Sequence, residues 1–212
     1  MLKRLLRIVV ALIFIASGFV KAVDVKGFSF KLEEYFSPQV FNLVILESWA
    51  LPISFFVVLL ELILGFLLLL KISVRKVLLA LIGLCVFFAF LTFYSAYFNV
   101  VTDCGCFGDA IKFTPWQSFW KDIVLLTLLL LLYFAYRDKT SISFMRTRSS
   151  VLFLGTIVSL WIMLHGIKHE PIIDFRDYKI GTDLKSEKKK IEENPSEYKT
   201  FYNLEHKKLK RL

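Results

Sequence analysis

Apolar positions along this chain come in long blocks separated by short polar segments. Five runs of Leu, Val, Ile, Phe and Ala reach, or nearly reach, the ~20 helical residues that cross a hydrocarbon core. They cover about Leu5 to Val23, Leu51 to Leu70, Val77 to Val100, Trp116 to Tyr136 and Val151 to Ile167. The runs are uninterrupted, so they lack the alternation of a barrel strand, and helix is the spanning form they predict. Pro52, Pro115 and Pro171 fall at or beside span ends, where a missing N–H costs little. The predicted fold is all-α: a polytopic membrane helix bundle over residues 1–169, with four core spans, a fifth span and a polar, basic tail over 170–212.

Composition sharpens this picture. The 212 residues are 57% hydrophobic and only 21% charged, against roughly half and about a quarter in a soluble domain. A disordered chain, a nucleic-acid module and an ordinary soluble enzyme are excluded, and the lipid bilayer is the first partner implied. The first span has a basic start (Lys3, Arg4, Arg7) like a signal peptide, but its apolar run is long for a signal core, so a retained anchor is expected.

Charge sets the expected sidedness. Lys3, Arg4, Arg7, Lys71, Arg75, Lys76, Arg137, Lys139, Arg146 and Arg148 fall on one side, against Lys26, Lys31 and Lys112 in the loops of the other. The Lys/Arg-rich side faces the cytoplasm. This predicts a bacterial inner (cell) membrane protein with a cytoplasmic N-terminus. Trp116 and Trp120 then sit at the outer interface, and Tyr133 and Tyr136 at the inner one. The tail beyond Ile167 holds 12 Lys/Arg and 9 Asp/Glu. It reads as a solvated periplasmic segment. Between the first two spans, Asp24 to Ala50 interleaves Phe28, Phe30, Leu32, Tyr35 and Phe36 with Lys31, Glu33 and Glu34. Short amphipathic helices at the outer interface are expected there, either packing on the surface or covering a pocket.

Candidate chemistry is sparse. The loop after the third span reads Asp103-Cys104-Gly105-Cys106-Phe107-Gly108-Asp109. A Cys-x-Cys bridge needs a tight turn, which Gly105 supplies. Such a ring is strained, and strained bridges suit electron exchange better than stapling. Cys104 and Cys106 are therefore candidate redox residues on an oxidising face. A structural turn bridge or two idle thiols is the alternative. Cys85, well inside the third span, reads as a small buried apolar side chain. His165 and His169, four apart at the outer end of span five, could join Cys104 and Cys106 as metal ligands. That is a minority reading, because Cys-x-Cys is tighter than usual zinc spacing. Glu61 stands alone in mid-span two and is a functional candidate by default. It could be protonated, paired with Lys21, or bound to hydroxyls, and a structural interhelical bond is an equal alternative. Lys21, Asp24, Lys121 and Asp122 lie near enough to span ends to snorkel. Gly18 and Gly65 suit close helix contact.

Three segments together resemble a known family: Ser17-Gly18-Phe19-Val20-Lys21-Ala22-Val23-Asp24, Glu61-Leu62-Ile63-Leu64-Gly65, and the Cys104–Cys106 loop. They are similar to the DoxX-like superfamily, and the Cys-Gly-Cys-Phe-Gly loop resembles its MauE branch. The segment from Pro171 to Gly181 resembles the stretch that follows the membrane part in Bacteroidetes-type members. The resemblance implies a four-helix membrane core with a fifth span added. MauE is associated with making or maintaining methylamine dehydrogenase, whose small subunit is disulfide-rich. DoxD-type relatives are linked to thiosulfate:quinone oxidoreduction. The resemblance thus implies redox at the membrane. Related chains continue into a thioredoxin-like region, so here a periplasmic thioredoxin-like or cysteine-rich client protein is the expected partner. A quinone near Glu61 is the conjectured electron acceptor, and no other cofactor is implied. The competing class is a non-catalytic membrane assembly or scaffold subunit. Small-solute transport, a third class, would rest on Glu61 alone.

Overall fold

The computed structural model describes residues 1–38, 40–98, 100, 113–136, 146–169, 173 and 189. Those up to 173 belong to one compact unit, Met1–Phe175. The described elements are seven helices: α1 (Leu2–Val23), α2 (Val25–Phe36), α3 (Val44–Glu47), α4 (Ala50–Leu69), α5 (Val74–Phe98), α6 (Pro115–Ala135) and α7 (Arg146–Lys168). Five of them, α1, α4, α5, α6 and α7, are long and apolar enough to cross a membrane. The chain is a polytopic helical membrane protein, and the span ends match the apolar runs to within a few residues.

Helices α1, α4, α5 and α6 form a closed ring in which α1 packs on α4 and α6, and α5 on α4 and α6. Contacts fix the directions. Arg7 at the start of α1 reaches Leu68 and Leu69 at the end of α4, while Lys21 at the end of α1 meets Glu61 in mid-α4. On α5 and α6, Arg75 lies by Tyr133 and Phe93 by Phe119. Both pairs are antiparallel. We call the end where α1 begins the near end and the opposite one the far end. Helix α7 lies outside the ring, against α4 and α1.

Local sequence explains the joints. Helix α4 stops in a Schellman turn: the Ile72 N–H donates to the Leu67 carbonyl at 2.9 Å and the Lys71 N–H to Leu68 at 3.2 Å. Lys71 takes the left-handed conformation this needs, at φ 59°. The Arg7 guanidinium also donates to the Leu68 and Leu69 carbonyls in the last turn of α4, where no i+4 N–H of the helix remains to serve them. Helix α6 starts with Pro115 behind a capping box, in which Thr114 and Gln117 each accept from the other's backbone N–H. Asp24 breaks α1 from α2 and caps the new helix by accepting from the Gly27 N–H at 2.8 Å. A Cβ on Gly27 would lie 2.5 Å from the Asp24 carboxylate, so glycine lets that cap close.

Two of the glycines singled out in the sequence let α1 and α4 touch. A Cβ on Gly65 would meet Ile15 at 2.8 Å, and one on Gly18 would meet Leu62 at 2.9 Å. Between helices in lipid, such small residues permit the close packing that replaces the hydrophobic effect. Apolar side chains form two buried clusters. One fills the near half of the ring with Val10, Phe14, Leu68, Leu78, Leu129 and Leu132. The other gathers Phe28, Leu32 and Tyr35 of α2 with Val58 and Leu62 of α4, Leu91 of α5 and Met163 of α7. The amphipathic segment expected after span one is therefore not a surface ornament: α2 buries its apolar face on α4.

Candidate functional site

Between the two apolar clusters lies a small polar chamber lined by Ile13, Phe14, Ser17, Lys21, Glu61, Cys85, Phe88, Lys121, Asp122 and Leu125. Four ring helices contribute a charged or nucleophilic group: Lys21 from α1, Glu61 from α4, Cys85 from α5, and Lys121 and Asp122 from α6. The cavity is about 20 Å³, measured as space open to the centre of a water molecule. That is room for a water.

Glu61 is paired with Lys21, one of the three arrangements its sequence allowed. The Lys21 Nζ lies 2.7 Å from Glu61 Oε2, with the two side chains 2% and 3% exposed. It also donates to the Ser17 hydroxyl at 2.8 Å, one helical turn back. The remaining face of the ammonium is enclosed by two rings, Phe88 at 5.1 Å and Phe28 at 5.8 Å from their centroids. These aromatic faces replace water as partners of the cation. Phe28 comes from α2, so that helix covers the ion pair from the far side.

The second pair is shorter in reach. Lys121 donates to Asp122 Oδ1 at 2.8 Å; the lysine side chain is 23% exposed and the aspartate 4%. Asp122 Oδ2 accepts from the Thr92 hydroxyl at a longer 3.3 Å. The Cys85 thiol donates to the Asp122 backbone carbonyl at 3.4 Å. One turn toward the far end, Ser118 is buried and its hydroxyl has no hydrogen-bond partner among the described residues.

These positions correct two sequence expectations. Lys21 and Asp122 do not snorkel; they turn inward and are buried. Cys85 is buried as expected, but against the charged chamber and not in plain packing. The signal in the sequence is spacing: Ser17 and Lys21, four apart, share one face of α1, and Ser118, Asp122 and Leu125 share one face of α6. Cys104 and Cys106 lie outside the described residues. They belong to the connection between Phe98 and Pro115, whose flanking helix termini are both at the far end. His165 and His169 do stack, with ring centroids 4.7 Å apart, and Trp161 stacks on His165 at 5.6 Å. Among the described residues no group of three or more His, Cys, Asp or Glu could hold a metal ion.

A ring of four apolar helices enclosing paired charges defines a multi-pass membrane protein with an intramembrane polar site. Its family is the one described as methylamine utilisation protein MauE, whose model matches residues 1–135, and the chain belongs to that family. The match ends with the last residue of α6, so it takes in the whole ring and α2, while α7 lies beyond it. No curated protein and no solved structure matches the chain.

Proposed function

We propose that this MauE-family chain supports thiol–disulfide redox or maturation of periplasmic proteins through Cys104 and Cys106. The observation that carries the reading is where the pair is attached. Two cysteines one residue apart join α5 to α6 at the far end, and the buried polar residues Thr92, Ser118 and Asp122 line that same α5–α6 seam. The excess of Lys and Arg at the near end supports an inner-membrane orientation with the near end cytoplasmic and the far end periplasmic. In the oxidised state the Cys104–Cys106 disulfide accepts two electrons and two protons from a client dithiol, which becomes a disulfide. The reduced pair returns them to a quinone dissolved in the bilayer, which becomes the quinol. The quinone meets the protein from the lipid.

Trapping free thiols in cells with a bulky maleimide tests this. A Cys104/Cys106 pair that shifts between dithiol and disulfide with the supply of a periplasmic thiol client is expected. A pair that stays reduced under all conditions, or a Cys106→Ser variant with full function, refutes it.

One observation favours a second reading, the non-catalytic assembly subunit. Glu61 is paired with Lys21 through Oε2 and ties α1 to α4, a role that needs no turnover. Co-purification of a defined partner that survives loss of both thiols would favour it.

A further inference from the structure

We infer that Asp122 is a proton-binding site served from the far end of the bundle only, beside the fixed, net-neutral Lys21–Glu61 pair. The inference does not depend on Cys104 or Cys106. It rests on how unequally the two buried carboxylates are held. Glu61 faces a cation that is itself locked by Ser17 and by the rings of Phe28 and Phe88. That cation has nowhere else to go. Asp122 faces Lys121, whose side chain is 23% exposed where that of Lys21 is 2%. Its other oxygen accepts from the Thr92 hydroxyl at 3.3 Å, a hydroxyl that also lies 3.1 Å from the Ala89 carbonyl. Lys121 can extend its ammonium to the interface and leave Asp122 behind, because a long flexible stem costs little to redirect.

A buried carboxylate that loses its cation is strongly disfavoured and is relieved by taking a proton. The step balances simply. A hydronium at the far side gives its proton to Asp122, leaving water, and the carboxylic acid that forms donates to a neighbouring oxygen. Return of Lys121 expels the proton. The charged or titratable groups facing Asp122 are Lys21 from α1, Glu61 from α4, Cys85 from α5 and Lys121 beside it on α6.

Access is one-sided for a structural reason. Asp122 lies seven residues inside α6, about 10 Å from Pro115 along the axis. Along that stretch Ser118 of α6 is buried with an unused hydroxyl, and Thr92 and Ser95 of α5 are buried polar neighbours on the same seam. Toward the near end the chamber meets Phe14, Leu81, Leu125, Leu129 and Leu132. That apolar plug continues to Arg7, about 20 Å of α1 from Lys21. Among the described residues no buried Ser, Thr or charged side chain of the four ring helices lies between the chamber and Arg7.

The test uses the full chain in membrane vesicles of both polarities, with the interior pH clamped and the bath pH varied. Dicyclohexylcarbodiimide, which modifies protonated intramembrane carboxyl groups, is the probe, and peptide mass spectrometry reads each adduct. Reaction of a Trp116→Cys variant with an impermeant maleimide identifies which vesicles expose the far end. The Asp122 adduct should rise on acidifying the bath only when the far end faces it, and should be lost in Asp122→Asn. Lys121→Gln, which keeps the carboxylate and removes its movable cation, should move the rise to higher pH. Absence of an Asp122 adduct at any pH in folded protein, an adduct that follows near-end pH, or an unmoved profile in Lys121→Gln overturns the inference.

Discussion

Replacing Lys21 by Met removes the cation from the Lys21–Glu61 pair and keeps most of its volume. The two groups lie 2.7 Å apart with both side chains almost fully buried. At an effective dielectric constant of about 20, unit charges at that distance attract by about 6 kcal/mol, part of which offsets their desolvation. Removing one partner strands the other, and for buried pairs this costs about 3–5 kcal/mol. The lost contacts with Phe28 and Phe88 add the smaller share, about 1 kcal/mol for a desolvated cation over a ring. Removing both charges, in Lys21→Met with Glu61→Leu, should recover most of the loss, because no buried charge is left alone. Unfolding of the purified protein in mixed micelles by added SDS gives the four free energies of the cycle. The single variant should lose about 3–5 kcal/mol and the double variant clearly less. If Lys21→Met matches the parent within about 0.5 kcal/mol, or the double variant is as unstable as the two single losses summed, the pair does not hold α1 to α4 as described.

Two further outcomes follow from the packing. A methyl at Gly166 would lie 2.7 Å from the Val23 carbonyl, whereas one at Gly155 would lie 3.3 Å from the Phe66 ring. Backbone cannot yield as a ring can, so Gly166→Ala should loosen α7 from α1 and cost about 1–3 kcal/mol in the same SDS titration, while Gly155→Ala should cost less. Cys85, 3% exposed inside α5, should resist maleimide in the folded protein and react at once after unfolding, and labelling at the native rate of an exposed thiol would contradict its place beside Asp122.

The five spans were legible in the sequence because lipid leaves a spanning backbone no partner but itself, and only long apolar helices satisfy that demand. Their ends were legible to a few residues, since Pro115 marks a helix start and the charged Asp24 and Lys71 end apolar runs. Gly18 and Gly65 were legible as contact points for a similar reason: small residues inside a bulky run have few other uses. The site was half legible. Glu61 announced itself by the cost of a carboxylate in mid-span, and Lys21 stood among its conceivable partners.

The remainder of the chamber is a tertiary fact. Lys21, Lys121 and Asp122 sit near span ends, where a one-dimensional reading lets long or charged side chains escape to the interface. Whether they do depends on the rotation of each helix about its axis, which is set by packing against helices well over a hundred residues away in the chain. That packing turned Asp122 toward Thr92 and Cys85, laid α2 over the Lys21 ammonium and closed the near side with leucines. The sequence by itself determined that the chain crosses the membrane and roughly where. Only the assembled bundle decided which charges meet, because helix–helix contact in lipid is chosen by shape and by the need of each buried polar group for a partner.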